Sequence, residues 1–271
     1  MCVPSVVSQC NRIGSQLLFF ATMSTNNDHK SDLGSDKHRI NAPPSNKSYH
    51  TKRIWGFAEP VSSWMHFLAA IAFIPLLIRL YLRIVVDWQT VLCIVLYSFS
   101  LFFCLLMSGV YHILSPYSMG RLVMRRLDHS AIFCQIAGTF TGVHGVVFTS
   151  YARWVPIIVL WTIGITGIVL KTVFFKKISD RVGLWLYIGM GWIGVVSFVM
   201  IWVTYRDVTA SLLLAGGGIS YSLGGIIDGV FEKQFRCIEG FFMSHELFHV
   251  FVVLGAYLHY ELIVYGTSLV A

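Results

Sequence analysis

Charged side chains are scarce in this sequence. Asp, Glu, Lys and Arg supply 12% of the 271 residues while hydrophobic types supply 56%, and the mean hydropathy is +0.69. Soluble globular domains carry about a quarter charged residues, so that class is excluded and an integral membrane protein is expected. Acidic groups are the scarcer sign, 13 against 20 Lys and Arg. In a chain this apolar the basic excess is first a topology signal rather than a nucleic-acid footprint, and no nucleic-acid partner is expected. Cysteine is limited to Cys2, Cys10, Cys93, Cys104, Cys134 and Cys237, with no CxxC pair. That spacing argues against a disulfide framework and leaves these side chains as small packing groups.

Long apolar runs are abundant. Residues 1–53 are rich in Ser, Asn, Asp, Lys and His, with Pro43-Pro44, and are expected to be a disordered polar tail, because so little apolar surface cannot offset ordering entropy. Residues 54–271 carry seven runs, about Pro60–Leu82, Gln89–Leu114, Asp128–Tyr151, Trp154–Phe175, Gly183–Tyr205, Val208–Phe231 and Phe242–Tyr265. Each approaches the roughly 20 residues that cross a hydrocarbon core of ~30 Å. They are apolar on both faces, unlike the alternating strands of a membrane barrel, and the bilayer obliges such segments to satisfy their backbone internally as helices. The expected fold is therefore all-α, a seven-helix transmembrane bundle. Loops after runs two, four and six hold Arg121, Arg125, Arg126, Lys171, Lys176, Lys177, Arg181, Lys233 and Arg236, whereas the alternate loops hold only Arg79, Arg83, Arg153 and Arg206. The positive-inside rule then places the amino terminus in the cytoplasm and the carboxyl terminus outside. Trp55, Trp64, Trp88, Trp154 and Trp185 are expected in interfacial belts.

This topology brings chemistry-bearing residues to one depth. In Ser244-His245-Glu246-Leu247-Phe248-His249 the two histidines are four apart and share a helix face. His112 ends the second run, one turn after Ser108, and Asp128 opens the third. All fall toward the cytoplasmic leaflet, as do Glu59 and His66 before and within run one and Asp228 near the end of run six. Three imidazoles suit Zn²⁺ with one position left for water. A zinc ion activates water and polarises a carbonyl. Asp128 would then serve as general base or orienting group, and Ser108 would hold the water or steady an oxyanion. Ionisable groups within a membrane are costly enough to be read as functional. Glu246, about 100° around the helix from His245, is read as a support of the site or as inter-helix packing. His129, His144 and His259 are read as packing or interfacial residues, Glu59 with His66 as a structural pair, and Gly216-Gly217-Gly218 with Gly224-Gly225 as points of close helix approach.

Ser108-Gly109-Val110-Tyr111-His112, Arg126-Leu127-Asp128-His129-Ser130-Ala131-Ile132, Met190-Gly191-Trp192, His245-Glu246-Leu247-Phe248-His249-Val250 and Tyr257-Leu258-His259-Tyr260 closely resemble the hemolysin III family. That family stands with the progestin and adiponectin receptors, and more distantly with alkaline ceramidases, in a superfamily of membrane metal-dependent hydrolases. The resemblance covers about Ile54–Tyr265. It implies zinc ligands at His112, His245 and His249 with Asp128 and Ser108 around the metal-bound water, and a hydrolase of a lipid amide or ester such as a ceramide. Two alternatives stand behind that reading, a pore-forming cytolysin, which the family's name records, and a receptor with structural zinc. A lumen would call for charges along one face of the spans, which the runs lack. The plasma membrane is favoured over an intracellular one, and the lipid bilayer, with a lipid substrate or ligand, is the expected partner.

Overall fold

The computed structural model describes residues 58–270 apart from 85–86, 116–117, 176, 232–235 and 239–241. The expected tail, residues 1–53, lies outside them. Among the described residues seven helices are long and apolar enough to cross a membrane, and the protein is a multi-pass integral membrane protein. They are α1 (Pro60–Tyr81), α2 (Trp88–Ile113), α3 (Met119–Val147), α4 (Ser150–Val173), a fifth span divided at Ile193 into α5 (Asp180–Trp192) and α6 (Gly194–Tyr205), α7 (Val208–Gly229) and α8 (Ser244–Leu269). A small antiparallel ribbon, β1 (Arg236–Ile238) with β2 (Phe242–Met243), leads from α7 into α8. The break at Ile193 is a single tight turn, in which Ile193 N–H bonds to Met190 O and Val196 N–H to Ile193 O, three residues back rather than four.

Local chemistry sets the helix starts. Asp87 accepts from the amides of Gln89 and Thr90, Ser118 from Arg121, Ser179 from Val182 and Asp207 from Ala210. Each side chain thereby satisfies amides that the first helical turn leaves without partners. Ser118 also explains the largest departure from the expected boundaries. The third span begins at Met119, so Asp128 lies more than two turns into α3 and does not open it. The basic residues at 121, 125 and 126 end the apolar run without ending the helix. Lys171 is likewise not in a loop but in α4, fully buried, its Nζ 3.8 Å from Asp180.

The third span is the centre of the bundle. Its most apolar window is 89% buried, against 17–44% for the other spans, and it has the lowest hydropathy of the seven. A helix surrounded by protein has no lipid to face, so it can carry Gln135, Thr139, Thr141 and four glycines where lipid-facing spans carry Leu, Ile and Val. Small residues let α2 approach it: a Cβ at Gly138 would lie 2.3 Å from Ser100 Cβ, and one at Gly145 would lie 2.2 Å from Cys93 Cβ. The expected glycine contacts hold in part. Gly217 meets the His259 ring and Gly224 meets Phe251 on α8, whereas Gly218 has open space beside it. Outward positions on α1 such as Trp64, Leu68, Ile71 and Ile78 are exposed. A stripe of this kind would drive association in water but suits a hydrocarbon surround. Trp88 and Trp185 are also exposed, as an interfacial role requires.

At the end of the bundle formed by the start of α2 and the close of α3, Arg153 is buried. It bonds to Asp87 Oδ2 at 3.0 Å, Gln89 Oε1 at 3.0 Å, Thr90 Oγ1 at 3.2 Å and Phe148 O at 2.8 Å. The hydrogen bond from Arg153 holds the Asp87 carboxyl down to about 2, against the opposing effect of its partial desolvation. The candidate site occupies the opposite end, where α2 closes and α8 begins.

Candidate metal centre

Three imidazoles meet at that end. His112 closes α2, and His245 and His249 lie in the first two turns of α8; their ligand atoms all fall within 4.8 Å of one another. His245 Nε2 is 3.4 Å from His112 Nε2 and 3.0 Å from His249 Nε2. Nitrogens held at 2.0–2.1 Å around a tetrahedral zinc ion are separated by about 3.3–3.4 Å. The cluster is therefore close to the size that such an ion needs. His112 and His249 are buried, and the His245 side chain is 38% exposed, so the centre opens on the α7–α8 side.

The surroundings decide which nitrogen of two of the rings, His112 and His245, faces inward. The first hydrogen bonds come from the chain just ahead of α1: the amides of Ala58 and Glu59 bond to the carbonyls of Ile113 and His112 at 3.3 and 3.1 Å. These carbonyls are among those a helix end leaves without partners, and satisfying them brings Glu59 against His112. Glu59 Oε2 then pairs with His112 Nδ1, while Oε1 takes a 2.5 Å bond from Arg121, whose other arm donates to Leu114 O at 2.6 Å. Burial opposes ionisation of Glu59, but the hydrogen bond from His112 and the neighbouring positive charge outweigh it and hold the carboxyl at about 2. On the other side Asp228, near the end of α7, lies 3.2 Å from His245 Nδ1. A carboxylate can only accept, so each of these Nδ1 atoms carries the proton and a neutral ring turns its Nε2 lone pair inward. Two such lone pairs 3.4 Å apart, with His249 Nε2 beside them and its buried Nδ1 without a partner among the described residues, repel unless a cation stands among them. One shared proton satisfies only one contact. The donor set fits a metal ion on this ground.

Helix α1 is fastened to both ligand-bearing helices at this level. Ser63 donates to Gly109 O at 3.0 Å on α2, and Ser62 donates to Glu246 at 3.0 Å on α8. Glu246 also accepts from the amide of Met243 at 2.9 Å, capping its own helix. Of its two expected roles, inter-helix packing is the one that these contacts supply. His66, expected to pair with Glu59, instead bonds through Nδ1 to Ser62 O at 2.9 Å and packs its ring edge-on to His249, with centroids 4.3 Å apart.

Among the residues singled out from the sequence, the structure brings His112, His245 and His249 together. Ser108 is buried on α2 one turn before His112. Asp128 is largely buried on α3; its Oδ2 lies 3.4 Å from His129 Nδ1, and His129 Nε2 lies 3.6 Å from Asp180, which is salt-bridged to Arg125 at 2.6 Å. His129 is thus part of a charged cluster where α3 meets α5 rather than a simple packing residue. His144, bonded to Ala152 O and Ser197, and His259, bonded to Leu214 O, do pack the interior. Sequence reasoning missed the partners of the rings, Glu59 for His112 and Asp228 for His245. The available signal was chemical: a ligating histidine needs a hydrogen-bond acceptor on its other nitrogen, and these are acidic residues at the expected depth.

The profile of the family described as "Haemolysin-III related" matches residues 55–260. The chain is 31% identical to "Hemolysin-3" of Bacillus cereus over 200 residues, which is 73% of this chain and 86% of that protein. It is 30% identical to the "Adiponectin receptor protein" of Drosophila melanogaster over 222 residues, 75% of this chain but 49% of the relative, and 30% identical to "Heptahelical transmembrane protein 4" of Arabidopsis thaliana over 175 residues, 59% of this chain and 44% of the relative. With seven spans, three converging imidazoles and a profile match across the membrane domain, the chain belongs to the haemolysin III-related family, within the wider group that includes the adiponectin receptors.

Proposed function

We propose that this protein is a zinc-dependent membrane hydrolase acting on a lipid amide or ester of ceramide-like chemistry. The observation that carries the reading is the convergence of three Nε2 atoms, two of them with carboxylates on the opposite ring nitrogen. His112, His245 and His249 would hold the zinc ion. When bound, zinc supplies Lewis acidity for activating water and polarising a carbonyl. Asp128, buried in the central helix, accepts the proton of the attacking water at its carboxylate and returns it to the leaving group. Ser108, buried one turn before His112, donates a hydrogen bond to the oxygen that gains charge. Substrate enters from the α7–α8 side, where His245 is partly exposed. The bias of Lys and Arg toward the loops at this end supports a site in the cytoplasmic leaflet with the amino terminus inside, and the plasma membrane is the membrane we favour.

The cytolysin and receptor alternatives predict different behaviour. A pore along the axis of one chain conflicts with the position of α3, which fills that axis. A receptor with structural zinc would hold the ion and turn nothing over. The deciding experiment is hydrolysis of ceramides and other lipid amides and esters by the purified protein, beside Asp128→Asn with its zinc content measured. The reading expects turnover in the wild type and zinc without turnover in the variant. Zinc-loaded wild-type protein inert toward the whole panel, or an Asp128→Asn variant as active as wild type, refutes it.

A further inference from the structure

The two carboxylates behind the imidazoles come from elements that contribute no ligand. Glu59 precedes α1 and Asp228 lies in the last turn of α7, whereas the imidazoles sit on α2 and α8. Glu59 is in turn held by Arg121 of α3, itself buried, bonded to Leu114 O and stacked 4.5 Å over the Tyr111 ring. We infer that Glu59 and Asp228 are positioning residues of the metal centre, each fixing the tautomer and orientation of one ligand, and that through them metal binding ties together the ends of α1, α2, α3, α7 and α8. This inference rests on the three imidazoles holding a metal ion, but not on the protein being a hydrolase.

The geometry separates this role from ordinary packing. An imidazole linked to a helix by a flexible side chain offers either nitrogen. Glu59 removes that choice for His112 and Asp228 removes it for His245, so the lone pairs face the ion before it arrives. A carboxylate on Nδ1–H also makes the opposite nitrogen a better donor to the metal. Glu59 is held from three sides, by its own amide to His112 O, by His112 Nδ1 and by Arg121. Asp228 and His245 are by contrast 31% and 38% exposed. The Glu59 arm is the more rigid and its loss should cost more.

The test is the zinc affinity of the purified full chain, read by competition with a chromophoric chelator. The variants are Glu59→Gln, Glu59→Asp, Asp228→Asn, His245→Ala and, as a remote control, Glu261→Gln, whose carboxylate pairs with Arg79 at 3.3 Å. Loss of such a carboxylate typically weakens metal binding by about 10- to 100-fold. We expect losses in that range for Glu59→Gln and Asp228→Asn with one zinc per chain still bound, a smaller loss for Glu59→Asp, and no change for Glu261→Gln. Nitrogen-15 spectra of labelled histidine should show the fixed Nδ1–H tautomer at His112 in the wild type and a mixture in Glu59→Gln, a change that a merely structural role would not cause. If His245→Ala loses zinc while both carboxylate variants keep wild-type affinity, the positioning role is overturned and the metal site stands. If the control weakens as much as they do, the effect is general loosening and the inference also falls. Wild-type protein that binds no zinc overturns the inference together with the metal site.

Discussion

Replacing His245 by alanine removes the imidazole that stands between the other two. Its Nε2 is 3.4 Å from that of His112 and 3.0 Å from that of His249, so two of the edges of the ligand triangle end on it. Structural zinc sites with four protein ligands bind with about 10–16 kcal/mol, or about 2.5–4 kcal/mol for each ligand when shared equally. At about 1.4 kcal/mol per tenfold change, the loss of this ligand should weaken zinc binding by about two to three orders of magnitude. The assay is zinc per chain by elemental mass spectrometry after purification without chelators, followed by a chelator competition for affinity, with helicity and monodispersity checked in parallel. One zinc per wild-type chain and a folded, zinc-depleted variant are expected. A folded His245→Ala protein with wild-type affinity would refute the geometric reasoning, because it would mean the ion is held elsewhere.

Gly145→Ala should lower the melting temperature in detergent by the equivalent of about 1–3 kcal/mol, the usual cost of overpacking, since its Cβ would lie 2.2 Å from Cys93 Cβ; Gly189→Ala, with nothing within 4 Å, should not. The Asp87 carboxyl is held near 2, below its ordinary value of 3.8, so its link to Arg153 stabilises the fold above about pH 4 and is lost as pH falls toward 2. The melting temperature of wild type should therefore decline toward that of Asp87→Asn across this window, and a gap that does not narrow would contradict the assignment. Asp128→Asn should retain zinc, because the three imidazoles form the ligand group without it; loss of zinc in a folded Asp128→Asn protein would make Asp128 a ligand. Tags on the two termini should be protected on opposite faces of sealed vesicles, with the amino-terminal tag cytoplasmic, and protection on the same face would contradict a chain crossed by the seven spans of the described residues alone.

Much of this protein follows from the sequence alone. The absence of charge over seven stretches of about 20 residues dictates seven spanning helices, because a backbone in hydrocarbon has no other way to satisfy its polar groups. The HxxxH spacing puts His245 and His249 on one face, since helical periodicity is local. His112 joins them through the alternation of the chain across the membrane, which sets depth. Depth does not set azimuth, and the tertiary structure decided the rest. Which helix stands at the centre depends on the packing of all seven, and the polar α3 takes that place because a span shielded from lipid accommodates the buried side-chain amide of Gln135. The start of that helix was hidden because the sequence pattern detects the end of apolarity rather than the end of helicity, and Arg121 is buried against Glu59 instead of hydrated in a loop. Glu59 shares a layer with His66 by spacing, yet it pairs with His112, 53 residues away, because backbone amides ahead of α1 dock on the last carbonyls of α2. That docking is a contact between distant segments, which local periodicity does not encode.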